Sequence, residues 1–382
     1  MGTPSISLCM IVKNEEPYLV QCLSSARNIV DEIIVVDTGS TDRSAAIAGD
    51  FGAKVIHWPW DDSFSNARNR GLEEAKCDWI LWLDADEVLD RNEAPRLKEV
   101  LTQDSIERQQ IEGIELLLHN YLDGGRVERA YVLRLVRNRP AYRFEGRVHE
   151  QILPVMLKHT PNGRMGRVDV TVYHDGHLTR NLIRQDKVKR NISLLRKALE
   201  EHPSYWPNHY YLGAELFRAN ELEEGLAHLN TVLAHPEGVP MYLMVNAHKY
   251  RTLALGMMKR YEEMVEKCSA SIAEFPAFTE LYHYKAQGLV ALGRLEQAVH
   301  VLQEALSVGP APEEYPGMPG YGSYLTCFAL GQCLAACENE LGADWYFTLA
   351  SLMDSGTITA ITKSPGNGGE TYGPIASMFT HP

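Results

Sequence analysis

Over the first 180 residues, apolar side chains come in short unbroken runs separated by stretches with helical spacing. Ile6–Val12 is apolar almost throughout and ends at Lys13. Glu32–Val36 contains Ile33-Ile34-Val35-Val36, Lys54–Ile56 is a third run and Trp79–Leu83 a fourth. Runs without polar alternation predict strands buried on both faces, hence a parallel sheet. Between them, Glu16–Ala26 sets Leu19 and Leu23 one turn apart, and Asp42–Phe51 follows a Gly-Ser-Thr turn in which Ser40 or Thr41 is the candidate cap. Ser63 is placed to cap a helix over Phe64–Lys76. Gly113–His119 and Val132–Arg137 predict further strands, and the alternation in Val168–Tyr173 predicts an edge strand that closes the sheet. Strand–helix alternation with short connections is the pattern of an α/β fold.

From about Asn181 the strand pattern stops and helical pairs repeat. Glu223-Glu224-Gly225 is followed by Pro236, Glu262-Glu263-Met264 by Pro276, and Glu296-Gln297-Ala298 by Pro310. A fourth unit has Leu341-Gly342-Ala343. Residues 225, 264, 298 and 343 are 39, 34 and 45 apart. The 45-residue step holds a Pro-rich insertion, Gly309–Gly322. Helix pairs with one apolar face bury it by stacking on the next pair. The chain therefore divides into an α/β part over 1–180, helical repeats over 181–361 and a Gly/Pro/Ser/Thr-rich tail over 362–382, expected to pack loosely.

Composition narrows the function classes. Of 382 residues, 37 are Lys or Arg and 50 Asp or Glu, giving a net charge of −13, which argues against a protein that coats nucleic acid. No apolar run approaches a membrane span, and the N-terminus shows no secretory leader pattern; the cytoplasmic location expected here rests on the cysteines. The seven cysteines include no CxxC pair and read as reduced, buried thiols.

Five motifs carry candidate chemistry. Val35-Val36-Asp37-Thr38-Gly39-Ser40-Thr41-Asp42 lies where a strand meets a helix, where open α/β sheets bind ligands; a simple capped turn accounts for it equally well. Asp84-Ala85-Asp86-Glu87 follows an apolar strand, and alternate carboxylates on an extended chain share one side, where they need a cation between them. Oxygen ligands suit Mg²⁺ or Mn²⁺. Arg68, in Phe64-Ser65-Asn66-Ala67-Arg68-Asn69, is either a phosphate or base contact or a surface arginine. In Gly146-Arg147-Val148-His149-Glu150 the zincin pattern fails at Leu153, leaving Glu150 as a candidate general base. His174, in Val172-Tyr173-His174-Asp175-Gly176-His177, is a candidate metal ligand.

Taken in order, SLCMIVKNEE, IIVVDTGSTD, FSNARN, WILWLDADE, RFEGRVHEQ and VYHDGH resemble a family 2 glycosyltransferase. The resemblance implies a GT-A fold, a Rossmann-like nucleotide-diphospho-sugar transferase domain, followed by an all-α domain. With the repeats, the chain is similar to the branch with tetratricopeptide repeats that includes the sublancin-type peptide S-glycosyltransferases. The resemblance is dense over residues 5–90, patchy over 110–195 and generic in the repeats. It implies that Asp37, Arg68, Asp84 and Asn14 hold a nucleotide-sugar, with UDP-sugar the expected donor. Asp86 and His174 would be metal ligands with Asp84 beside them, for Mn²⁺ or Mg²⁺, and Glu150 the base of an inverting transfer, with His149 the rival. Relatives often carry Tyr where this chain has His177. The groove of a repeat stack suits a peptide or protein acceptor; a glycan or surface-polymer acceptor competes, and self-association stays open. Two other classes remain: a nucleotidyltransferase releasing pyrophosphate, and a non-catalytic repeat scaffold with a degenerate nucleotide-sugar domain.

Overall fold

A computed structural model describes residues 4–102, 106, 109–121, 127–174, 181–312, 315 and 319–355. His177 and the tail over 362–382 lie outside them. Packing divides the chain into two compact units, 1–201 and 202–382.

The first unit contains β1 (Ile6–Val12), α1 (Glu16–Ala26), β2 (Glu32–Asp37), α2 (Ser44–Asp50), β3 (Lys54–His57), α3 (Phe64–Leu72) and β4 (Trp79–Trp82). It continues through β5 (Glu87–Leu89), α4 (Pro95–Leu101), β6 (Ile111–Tyr121), β7 (Val127–Arg137), α5 (Leu153–His159), β8 (Arg164–His174) and α6 (Asn181–Glu201). The strands form one sheet in the order β3-β2-β1-β4-β7-β6-β8-β5. β3, β2, β1 and β4 are parallel, as the unbroken apolar runs predict. Alternate residues divide between two apolar layers. Leu8, Met10, Val35 and Leu81 pack with Leu19 and Leu23 of α1, while Cys9, Ile34, Ile80 and Trp82 pack with Leu72 of α3, Tyr142 and Phe144. Both faces being covered explains why polar alternation is missing.

Beyond β4 the sheet turns mixed. β7 runs antiparallel to β4 and to β6, β8 is parallel to β6, and β5 is antiparallel to β8. β8 is therefore not the edge expected from Val168–Tyr173. The edge is β5, three residues long, formed directly after the acidic motif. This pairing puts Glu87 opposite His174.

The helix α6, assigned to the repeats from sequence, belongs to the first unit, which ends 21 residues later than the expected boundary. Its last turns are tied there by ion pairs: Glu201 with Arg147, and Lys197 with Asp62 at 2.5 Å.

The second unit is a succession of helix pairs: α7 (Trp206–Arg218) with α8 (Leu222–Ala234), and α9 (Met241–Met257) with α10 (Tyr261–Glu274). Then come α11 (Glu280–Ala291) with α12 (Leu295–Val308), and α13 (Tyr324–Ala335) with α14 (Glu340–Asp354). The repeated positions Gly225, Met264, Ala298 and Ala343 all fall in the first turn of a second helix and are buried. A Cβ on Gly225 would stand 3.1 Å from the Gly213 carbonyl, so the first pair is packed backbone to backbone. Tyr315 in the insertion stacks on Phe278 at 5.8 Å.

Candidate functional site

The sequence-predicted residues gather at the C-terminal ends of β1, β2 and β4, with β5 and β8 completing the far side. Two corners are distinct.

The first is built by the loops after β1 and β2. Asn14 adopts a left-handed backbone (φ 56°). Its N–H donates to Ser40 Oγ at 3.0 Å, and its Oδ1 accepts from Thr41 N at 2.7 Å. α1 has no cap of its own; Ser44 Oγ and Asp42 Oδ2 accept from the N–H groups of Glu15 and Glu16 at 2.8 and 3.1 Å. Ser40 and Thr41 are thus not the cap of α2, whose first residue is Ser44; they fasten the two loops together. Asp37, 4% exposed, accepts from Ser40 N at 3.0 Å and stands 3.2 Å from His57 Nδ1.

The second corner centres on Arg68. Gly71, one turn further along α3, lets the helix lie close on the sheet: a Cβ there would be 3.3 Å from Val36. From α3, Arg68 Nε donates to Glu150 Oε1 at 2.6 Å and Nη2 to Asp84 Oδ1 at 2.9 Å. Its third nitrogen, Nη1, is buried without a protein partner. The ring of Phe144 lies 5.5 Å from the guanidinium. Burial works against the Asp84 charge, but Arg68 and then Arg134 overcome it and lower its carboxyl to about 2. Asp84 is ionised at neutral pH.

Asp84 and Asp86 do not share one side of an extended chain as expected. Glu87 N bonds back to Asp84 O at 3.0 Å, so residues 84–87 form a turn and the two carboxylates diverge to different partners. Asp86 Oδ2 stands 3.3 Å from His174 Nε2, while His174 Nδ1 is 3.0 Å from Asn120 Oδ1. The Asp86 hydrogen bond raises the His174 pKa against the opposing effect of burial. Glu87, 2% exposed, accepts from Asp84 N at 3.0 Å and pairs with Arg134. Burial first, and the Asp86 charge second, push the Glu15 carboxyl up from 4.5 to about 7.

Arg134, Asn120, Glu15 and Asn69 were not predicted. Asn69 carries the most structure. Its Nδ2 donates to Phe144 O at 2.9 Å and its Oδ1 accepts from Phe144 N at 2.8 Å. Past Phe144, Glu145 and Gln151 exchange two backbone hydrogen bonds of 2.9 Å, closing a loop that holds Gly146 (φ 100°), His149 (φ 54°) and Glu150. Asn69→Ala leaves the buried Phe144 amide and carbonyl unpaired, at about 2 kcal/mol. Chemical denaturation should show that loss.

Glu15 gives a pH prediction. A carboxyl whose pKa is raised on folding binds its proton more tightly in the folded state, so its stabilisation is present below about 4.5 and is lost as pH rises through about 7. Melting temperatures of the metal-free protein should fall across that window, and Glu15→Gln should flatten the fall.

Comparison with known proteins agrees with this architecture. The glycosyl transferase family 2 pattern matches residues 7–110. A TPR repeat-containing protein of Synechococcus elongatus is 31% identical over 317 residues, covering 80% of this chain and 76% of that protein. The SPbeta prophage-derived glycosyltransferase SunS of Bacillus subtilis is 30% identical over 236 residues; the match covers 59% of this chain and 53% of SunS, so the chain spans about half the length of that relative. A glycosyltransferase of Rickettsia felis is 38% identical over 115 residues, 30% of this chain and 40% of that one. With the mixed sheet, the turn at Asp84–Glu87 and the helix pairs that follow, these likenesses place the chain in the family 2 glycosyltransferases, as an enzyme whose GT-A unit precedes tetratricopeptide-like repeats.

Proposed function

We propose that the chain is a metal-dependent, inverting enzyme that moves a sugar from a nucleotide-sugar, of the UDP class, to a peptide or protein acceptor presented by the repeats. The observation that carries the reading is Arg68, which joins Asp84 to Glu150 beside the Asp86–His174 pair and keeps one buried nitrogen unsatisfied.

The donor set fits a divalent cation such as Mn²⁺ or Mg²⁺. Asp86 supplies carboxylate oxygen, and His174 presents Nε2 because Asn120 Oδ1 takes the proton of Nδ1. Among the described residues no three metal-ligating side chains converge, so Asp86 and His174 would hold the ion, with Asp84 nearby and diphosphate oxygens and water completing it. The chemistry such an ion supplies is compensation of charge on the departing diphosphate.

The chain's own residues do the rest. Asn14 and Asp37 would line the nucleoside corner, and Arg68 Nη1, buried without a hydrogen-bond partner, would bond a sugar-donor oxygen that displaces its covering groups. Glu150 takes the proton of the acceptor, which attacks the anomeric carbon from the face opposite the leaving diphosphate. His149, on the same loop, is the rival base. No described helix is long and apolar enough to cross a membrane. The seven free cysteines are in keeping with a reducing cytoplasm.

The test is a product assay with UDP-, GDP- and dTDP-sugars, with and without EDTA, followed by mass spectrometry of the acceptor. Release of UDP with a mass gain of one sugar is expected. Transfer that continues undiminished in EDTA, or a preference for GDP- or dTDP-sugars, would refute the proposal.

A further inference from the structure

The first helix pair contains a constellation that glycosyl transfer does not use. His209 of α7 and His228 of α8 face each other with their Nδ1 atoms 2.8 Å apart and ring centroids at 5.0 Å. Their far nitrogens also have defined surroundings. His209 Nε2 lies 2.8 Å from the Pro203 carbonyl, an acceptor only, so that nitrogen carries the proton and Nδ1 carries the lone pair. His228 Nε2 lies 3.9 Å from Glu224 Oε1, one helical turn earlier.

We propose that His209 and His228 bind a nitrogen-preferring divalent cation of the Zn²⁺ type through their two Nδ1 atoms, fastening α7 to α8. A histidine that ligates a metal nearly always donates its other N–H to a carbonyl or carboxylate; Pro203 O already stands 2.8 Å from His209 Nε2, and Glu224, at 3.9 Å from His228 Nε2, has to close by about 1 Å to do the same. Binding moves the His228 proton from Nδ1 to Nε2, which keeps it and donates a hydrogen bond to Glu224 once the carboxylate closes from 3.9 Å. The Nδ1 atoms open from 2.8 Å to the roughly 3.3 Å that two nitrogens span on a tetrahedral ion with bonds of ~2.0 Å. Both rings are partly exposed, so water fills the remaining positions. Imidazole pairs favour Zn²⁺, Ni²⁺ and Cu²⁺ over Mg²⁺ and Mn²⁺, which separates this site from the one at Asp86.

The test uses the full chain carrying Asp86→Ala, stripped with EDTA and with its exposed thiols alkylated. Titration with Zn²⁺ by calorimetry should show one equivalent bound, and Cu²⁺ added to the same protein should give an electron paramagnetic resonance spectrum of two nitrogen ligands. His209→Gln and His228→Gln should each weaken Zn²⁺ at least about tenfold, and Glu224→Ala about tenfold through loss of the second acceptor. Zn²⁺ should also raise the melting temperature of the parent and not of the histidine variants. Absence of a Zn²⁺ equivalent, unchanged affinity in both histidine variants, or a Cu²⁺ spectrum with oxygen ligation alone would overturn the proposal. If one variant fails to fold by circular dichroism, the other and the Cu²⁺ spectrum of the parent decide.

Discussion

Asp86→Ala is expected to reduce sugar transfer by about a thousandfold while leaving the protein folded. An ion bound to a departing diphosphate lowers the barrier by several kcal/mol, and each 1.36 kcal/mol is a factor of ten in rate. Asp86 is partly exposed and its ion-pair partner among the described residues is His174, so its loss removes little packing. The melting temperature should move by only a few degrees, and the His174 pKa should fall once its main stabilising partner is gone. NMR of that imidazole reads the second effect independently of activity. EDTA-treated parent enzyme should fall to the level of the variant, and Mn²⁺ or Mg²⁺ should restore the parent alone. Full activity of the parent in EDTA would sink the metal reading.

Glu150→Gln is expected to cut turnover by about a hundredfold or more, the usual contribution of a positioned base, with donor affinity nearly unchanged. Glutamine still offers an oxygen to Arg68 Nε, and Asp84 still neutralises the guanidinium, so the fold should survive. A thiol acceptor would shrink the defect, because some thiolate is present near neutral pH without help. The size of the loss thus reports on acceptor chemistry. Donor affinity by calorimetry and turnover by nucleotide release, measured in Glu150→Gln and His149→Ala, separate the two candidate bases. Normal turnover in the first and a deep loss in the second would move the base to His149. Lost donor affinity in Glu150→Gln would assign the carboxylate to the nucleotide site instead.

How much of this was readable from the chain depends on whether local pattern or distant pairing decides each element. β1 and α1 have the bounds that periodicity predicts, because the run from Ile6 to Val12 and the turn spacing of Leu19 and Leu23 are local. β5 was missed, since Glu87-Val88-Leu89 is too short to show a pattern and exists only by pairing with β8. The same pairing made the 84–87 segment a turn. Asn120 and Arg134 gave no local sign either. Asn120 reaches His174 through the register of β6 on β8, and Arg134 reaches Glu87 across 47 residues of chain. α6 was given to the repeats because a charged amphipathic helix looks alike in either unit; Arg147 and Asp62 hold it to the first. For Asn69, sitting beside Arg68 in one motif, a short polar residue at that position was the available hint.

The order in which these contacts can form has a consequence for a chain leaving the ribosome. Asn14, Ser40, Thr41 and Asp37 are within 30 residues of one another, so the corner they form can assemble as soon as β1 and β2 pair. Asp86 meets His174 only when β5 docks on β8, and Asn120 orients that histidine only when β8 has joined β6. Contacts of long sequence separation form late because loop closure opposes them. If the proposed roles hold, nucleotide recognition should therefore precede metal competence during synthesis, and the docking of β5 on β8 should be the step that switches the enzyme on.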